Sequence, residues 1–290
     1  MTRGDVSRSA ACCEPFRSIL VGIASDGEGT QSQALAQAVA LAQATDSAVS
    51  LYVFAPHLGA PLRMSAATAS MWLAQEAERL EKSTSSVTHK ASQAISDAGL
   101  QVVAEHAGSP FDSRSGRFVQ LARLHDLAIL DAADISDASQ HTVIEDVLFD
   151  SGCPLLLFPR NAGTVKPERV AIAWDGSARS ARAVKDALPF LVRAETVVAV
   201  TVEGEKDLSR MAPGADLATF LARHGVECSL ATLAVEAGDV AGRLRFFVTL
   251  EGMEMIVMGA FVHSRFRQAI LGGVTQSLLE HSPVPLFLSH

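Results

Sequence analysis

No run of apolar residues in this chain approaches the roughly 18 needed to cross a bilayer, which excludes a membrane-spanning helix. Cysteine is scarce and scattered: positions 12, 13, 153 and 228 show no CxxC or Cys/His spacing. That pattern excludes a zinc site and a disulfide framework, and leaves reduced thiols as the expectation. Basic residues are outnumbered, 24 Lys and Arg against 32 Asp and Glu, giving a net charge of -8. With no basic block on any segment, a nucleic-acid surface is excluded. Aromatics make up 6% and charged residues 19%, while 48% of the 290 residues are hydrophobic. That is the composition of a globular chain long enough for two domains with cores of their own.

The first 15 residues, MTRGDVSRSAACCEP, carry no periodicity and read as a flexible tail. Ser9-Ala10-Ala11-Cys12 has the outline of a lipoprotein cleavage box, but no apolar run precedes it. Export is not expected, and the chain reads as a soluble, cytoplasmic protein. Cys12 and Cys13 lie in that tail, where nothing in the sequence supplies the setting that activates a thiol.

From residue 16 onward short apolar runs alternate with helical patterns. SILVGIA (18–24) is an all-apolar run of the kind buried on both faces of a parallel sheet. Residues 31–44, with Leu35, Val39 and Ala42 at helical spacing, predict a helix. Strands at 49–54, 101–106, 127–131 and 154–158 follow, separated by helices at 69–98, 113–124 and 141–149. Five strands alternating with four helices predict a doubly wound parallel α/β sheet over 16–160.

The pattern then restarts. NAGTVKPE (161–168) has linker composition, and RVAIAWDG from Arg169 echoes LVGIASDG from Leu20. SPVPLFLS (282–289) likewise echoes SGCPLLLFP (151–159). The chain is an internal duplication, with a second doubly wound domain over 169–290. Ile23 and Pro154 are 131 residues apart whereas Ile172 and Pro285 are 113 apart. The first copy therefore carries 18 additional residues, placed between Pro56 and the end of its long second helix.

Two stretches of the second copy carry chemistry. Asp175-Gly176-Ser177 ends its first strand, just before a helix expected to begin near Ser180. An acid there can accept hydrogen bonds from a ribose, and Gly-Ser leads into a helix N-terminus; plain helix capping uses the same residues. In the second stretch, MGAFVHSRFRQAILGGVTQSLL (258–279), Gly259 ends the fourth strand and Gly272-Gly273 precede the helix VTQSLLEH. Amides of such a glycine pair form an anion nest, to which Val274 and the hydroxyls of Thr275 and Ser277 are adjacent. His263, Ser264 and Arg265 supply polar contacts for a phosphate or a base, or simply a solvated loop.

These motifs resemble the universal stress protein family in its tandem two-domain form, and the resemblance extends from residue 16 to the end. It implies two five-stranded α/β domains of the adenine nucleotide alpha hydrolase type and an adenine nucleotide such as ATP. In nucleotide-binding members a G-x2-G-x9-G-[ST] loop falls here on Gly259, Val262, Gly272 and Gly273, so two of four positions match. The adenine-contacting position at the end of the second strand falls on Val202. Val262 resists positive φ and close ligand approach, and Gly273 lacks the hydroxyl of Ser or Thr. The latter loss is worth about 0.5–1.5 kcal/mol, enough to weaken binding without excluding it.

The first copy keeps Asp26-Gly27 in step with Asp175-Gly176, but its late loop DAADISDASQHTVIEDV has no glycine. Acidic residues at 131, 134 and 137 are expected to repel phosphate, so no nucleotide is expected in that half. Gly27-Glu28-Gly29-Thr30-Gln31-Ser32 is a near miss to the dinucleotide fingerprint, without the acid after the second strand. Walker, GxSxG and HExxH motifs are absent.

Three readings stand: a non-catalytic stress-response protein with a nucleotide in its second domain, an interaction module that has lost the ligand, and a slow ATPase. No base and nucleophile pair and no acidic cluster for Mg²⁺ stands beside the glycines, so neither catalytic residues nor a metal site is assigned. The apolar last strands suit pairing at domain edges. The resemblance implies an intramolecular pseudo-dimer of the two halves and leaves a further homodimer open.

Overall fold

The computed structural model describes residues 15–25, 32–56, 66–107, 113, 115–132, 138–159, 164–203, 213–234, 239–260 and 273–290. In the N-terminal half β1 (Ser18–Ala24), α1 (Gln33–Thr45), β2 (Ala48–Phe54), α2 (Ala66–Asp97) and β3 (Val102–His106) follow one another. They continue into α3 (Gly116–Ala122), β4 (Leu127–Asp131), α4 (Ala138–Asp150) and β5 (Leu155–Phe158). The C-terminal half repeats the order with β6 (Arg169–Ala173), α5 (Ala178–Asp186), the short α6 (Leu188–Leu191), β7 (Thr196–Glu203) and α7 (Gly214–Arg223). It closes with β8 (Cys228–Ala234), α8 (Val240–Leu250), β9 (Met255–Gly259), α9 (Gly273–His281) and β10 (Leu286–Ser289).

All ten strands form one sheet in the order β3-β2-β1-β4-β5-β10-β9-β6-β7-β8. Each half has the same doubly wound arrangement, and every pairing is parallel except β5 with β10. At that seam Phe287 stands opposite Leu156, and the halves meet edge to edge. Because the seam is antiparallel, the C-terminal edges of the two sets of strands open on opposite sides of the sheet.

The strands are apolar runs because both faces are covered. One face carries Ile19, Val21, Ile172, Val257 and Phe287 beneath α1, α2, α5, α6 and α7; the other carries Leu20, Leu130, Leu157, Ile256 and Leu288 beneath α3, α4, α8 and α9. Each layer runs unbroken through both halves. Phe190 ties it together, its ring 5.4 Å from Phe16 and 5.8 Å from Phe287. The first strand of each half is anchored alike: Asp126 accepts the Arg17 and Ser18 amides, and Glu254 accepts those of Glu168 and Arg169.

The additional residues of the first copy lie largely in α2, 32 residues against 10 for α7. The predicted helix at 113–124 is shorter, Gly116–Ala122, and Leu124 just beyond it is 85% exposed. Among the described cysteines Cys153 and Cys228 are free, and burial pushes the Cys153 thiol up to about 12. No described helix is long and apolar enough to cross a membrane.

Candidate functional site

In a doubly wound sheet a crevice opens at the C-terminal ends of the strands where the order reverses. In the C-terminal half this point lies between β6 and β9, whose ends pair Ala173 with Met258. Helices α5 and α9 both start at this edge, one on each face of the sheet, with the positive ends of their dipoles toward it.

The Asp-Gly-Ser turn builds the start of α5. Trp174, 7% exposed, donates its amide to the Val200 carbonyl at 2.9 Å and holds the chain to the sheet as far as the turn. Gly176 then adopts φ of 70°, a conformation that favours glycine. The Asp175 Oδ1 accepts the Ser177 amide at 3.0 Å, and the Ser177 Oγ accepts the Ser180 amide at 3.2 Å. Capping by Ser177 starts the helix at Ala178, two residues before the expected position near Ser180. Ser177 is committed to the cap, and one oxygen of Asp175 to the turn.

Gly259 lies directly against that first turn. A Cβ placed on it would lie 2.6 Å from the Ser180 amide nitrogen and 2.7 Å from the Arg179 carbonyl carbon. No side chain fits between β9 and α5, so the first glycine of the loop pattern has a packing reason for being glycine.

The expected donors are arranged less favourably than the sequence implies. Gly273 is exposed and is itself the first residue of α9, rather than a residue preceding it. Val274 is half-buried, and Thr275 is 1% exposed, so its hydroxyl does not face open solvent. The Ser277 Oγ accepts from Arg245 Nη1 at 2.8 Å, tying α9 to α8. Val202 is half-buried on β7, opposite Leu233 of β8, two residues beyond the strand position that meets Trp174. Val262, His263, Ser264, Arg265 and Gly272 lie outside the described residues.

Arg179 went unremarked in the sequence, although its place in the first turn of a capped helix beside the Gly259 strand end marks it. Burial first, then the charges of Arg179 and Arg182, push the imidazole of His290 below its ordinary value. His290 follows β10 at this same edge and packs its ring 5.0 Å from that of Phe149. The charges of Arg179 and Arg182 on α5 are thus felt at the end of β10.

In the N-terminal half the equivalent position lies between β1 and β4, where the described side chains bond to one another across the strand ends. Asp131, the last residue of β4, stands where Gly259 stands on β9. Its Oδ2 accepts the Ser32 hydroxyl at 2.6 Å and its Oδ1 accepts the Ala34 amide at 2.8 Å. Beside it Ser25 is 4% exposed, and the Thr84 hydroxyl from α2 lies 3.3 Å from the Ser25 Oγ. Sequence reasoning treated Asp131 as a charge that repels phosphate; the structure shows that charge engaged by the start of α1. Asp26, Gly27, Asp134 and Asp137 lie outside the described residues. Among the described residues no group of three or more His, Cys, Asp or Glu is placed to hold a metal ion.

The strand order and the two sheet edges define a doubly wound α/β protein. Residues 167–290 match the universal stress protein family. Over the whole chain the fold is that of a universal stress protein from Archaeoglobus fulgidus DSM 4304, at 17% identity and a TM-score of 0.68. That likeness covers 94% of this chain and 97% of the other. A functionally unknown protein from Pseudomonas aeruginosa PAO1 is similar at 17% identity, with 95% and 93% covered and a TM-score of 0.56. No protein of curated function matches the chain. The family match is thus confined to residues 167–290, and the likeness over the whole chain is one of fold.

Proposed function

We propose that the chain is a non-catalytic stress-response protein whose C-terminal half binds an adenine nucleotide, ATP or a relative, in the crevice between β6 and β9. The observation that carries this reading is the side-chain-free strand end at Gly259, held against the capped first turn of α5. A phosphate at this rim meets the N-termini of α5 and α9 and the field of Arg179. The sequence places the His263-Ser264-Arg265 run and Gly272 between β9 and α9, Gly273 opens that helix, and Val202 near the end of β7 suits the base. Asp175, in the turn at the end of β6, is the acid placed to meet a ribose.

On this reading the two halves act as an intramolecular pseudo-dimer joined through β5 and β10. Further dimerisation of the chain and a cytoplasmic location fit the same picture.

A second reading, an interaction module without a ligand, is favoured by one specific observation. The two hydroxyls expected to serve a phosphate are otherwise placed, Thr275 in the core and Ser277 on Arg245. Equilibrium dialysis of the full chain against millimolar ATP, ADP and AMP separates the two. Binding that is lost in Gly272→Val supports the nucleotide; no binding of any of the three leaves the interaction module. Phosphate release that disappears in the same variant would make the protein an ATPase instead.

A further inference from the structure

The two halves treat one position in opposite ways. At the end of β9 stands Gly259, with no side chain and no room for one. At the end of β4 stands Asp131, whose carboxylate reaches α1 across about a hundred residues of sequence. The Asp131 carbonyl also accepts the Gln140 side-chain amide from α4 at 3.2 Å. One residue thus ties the strand end to both helices that flank the crevice.

We propose that Asp131 is a built-in anion: it occupies the N-terminal crevice in place of a ligand phosphate and holds that half permanently closed. An Asp carboxylate and a phosphate share the chemistry that a helix start recognises, oxygen acceptors carrying negative charge. The Ser32 hydroxyl and the Ala34 amide are already satisfied by it, so an incoming anion finds both donors used and a like charge in its way. Thr84 of α2 adds a neighbour just past β1, its hydroxyl 3.3 Å from the Ser25 Oγ, and α2 has 32 residues where the described α7 has 10. The parallel with a ligand rests on the nucleotide reading of the C-terminal half; the bonds made by Asp131 do not.

The test uses the full chain as wild type, Asp131→Asn and Asp131→Ala, unfolded thermally in millimolar inorganic phosphate or in sodium chloride of equal ionic strength. In chloride both variants are expected to unfold roughly 2–4 °C below wild type, the shift produced by losing one charged cap in a chain of this size. In phosphate the alanine variant recovers most of that difference, because the anion enters the vacated place, and the asparagine variant recovers less. The C-terminal crevice is present in all three proteins, so its contribution cancels in the difference. Variants as stable as wild type would overturn the proposal, as would variants whose deficit is the same in phosphate as in chloride. Failure of the nucleotide reading shows separately, as wild-type protein that binds no ATP.

Discussion

The N-terminal and C-terminal halves share strand order, sheet and core, yet one strand end carries Asp131 and the other Gly259. The difference teaches how a duplicated fold divides labour. A carboxylate at the end of β4 completes its own half, with α1 bonded to it and Thr84 of α2 beside Ser25 just past the neighbouring strand. Glycine at the end of β9 lets α5 come down onto the strand. One half is finished by its own side chains, and the other is arranged to be finished by something else.

The comparison breaks most completely at the seam. Phe287 is fully buried in the layer common to both halves, so Phe287→Ala is expected to cost about 3–5 kcal/mol. Calorimetry should then show one lowered transition; a variant in which only the C-terminal half melts early would mean the halves fold as separate units.

Copying the N-terminal residue into the C-terminal half is the next largest change. Gly259→Asp puts a Cβ where the Ser180 amide is 2.6 Å away, which should cost about 1–3 kcal/mol in denaturant unfolding and abolish ATP binding. A variant of unchanged stability would show that α5 can draw back from the strand and admit a side chain, as α1 admits that of Asp131.

Ser177→Ala removes the cap of α5, and a loss of about 1 kcal/mol is expected by the same measurement. The corresponding cap in the N-terminal half has Asp131 behind it, so Ser32→Ala should cost more than Ser177→Ala. Equal losses would count against the role given to Asp131.

The strand anchors should differ least. Burial alone would raise the Asp126 carboxyl, but the Arg17 and Ser18 amides and the Ser18 hydroxyl outweigh it and hold it below its ordinary 3.8. A lowered carboxyl stabilises the fold above its unfolded-state pKa, and that contribution is lost as pH falls through the folded-state value. Asp126→Asn should therefore cost about 0.5–1 kcal/mol at pH 7, reduced by the exposure of the site, with the two stability curves converging in acid. A difference that persists at the lowest pH would show that the carboxylate charge is not the cause.

Much of this was legible in the sequence. The echo of LVGIASDG in RVAIAWDG revealed the duplication, because buried parallel strands must be apolar runs and turns need their Asp and Gly. The surplus of the first copy was placed where α2 lies. Asp175-Gly176-Ser177 was readable as a turn into a helix, and the capping use of Ser177 is the one observed. Contacts between distant segments were not readable. Nothing near Asp131 in sequence announces a bond to Ser32, and nothing near Ser277 announces Arg245 on another helix. Gly259 was read as the first glycine of the loop pattern, and nothing in its segment announces that its immediate neighbour is the backbone of α5. Local pattern reports what a residue does to its own segment, and the site depends on what segments do to each other.

The asymmetry between the halves is tested most directly by the stoichiometry of ATP binding to the wild-type chain, measured by calorimetric titration. One ATP per chain, with Gly259→Asp abolishing it, is the predicted result. Two per chain would mean that Asp131 does not close the N-terminal crevice, and none would mean that the C-terminal crevice is not a nucleotide site.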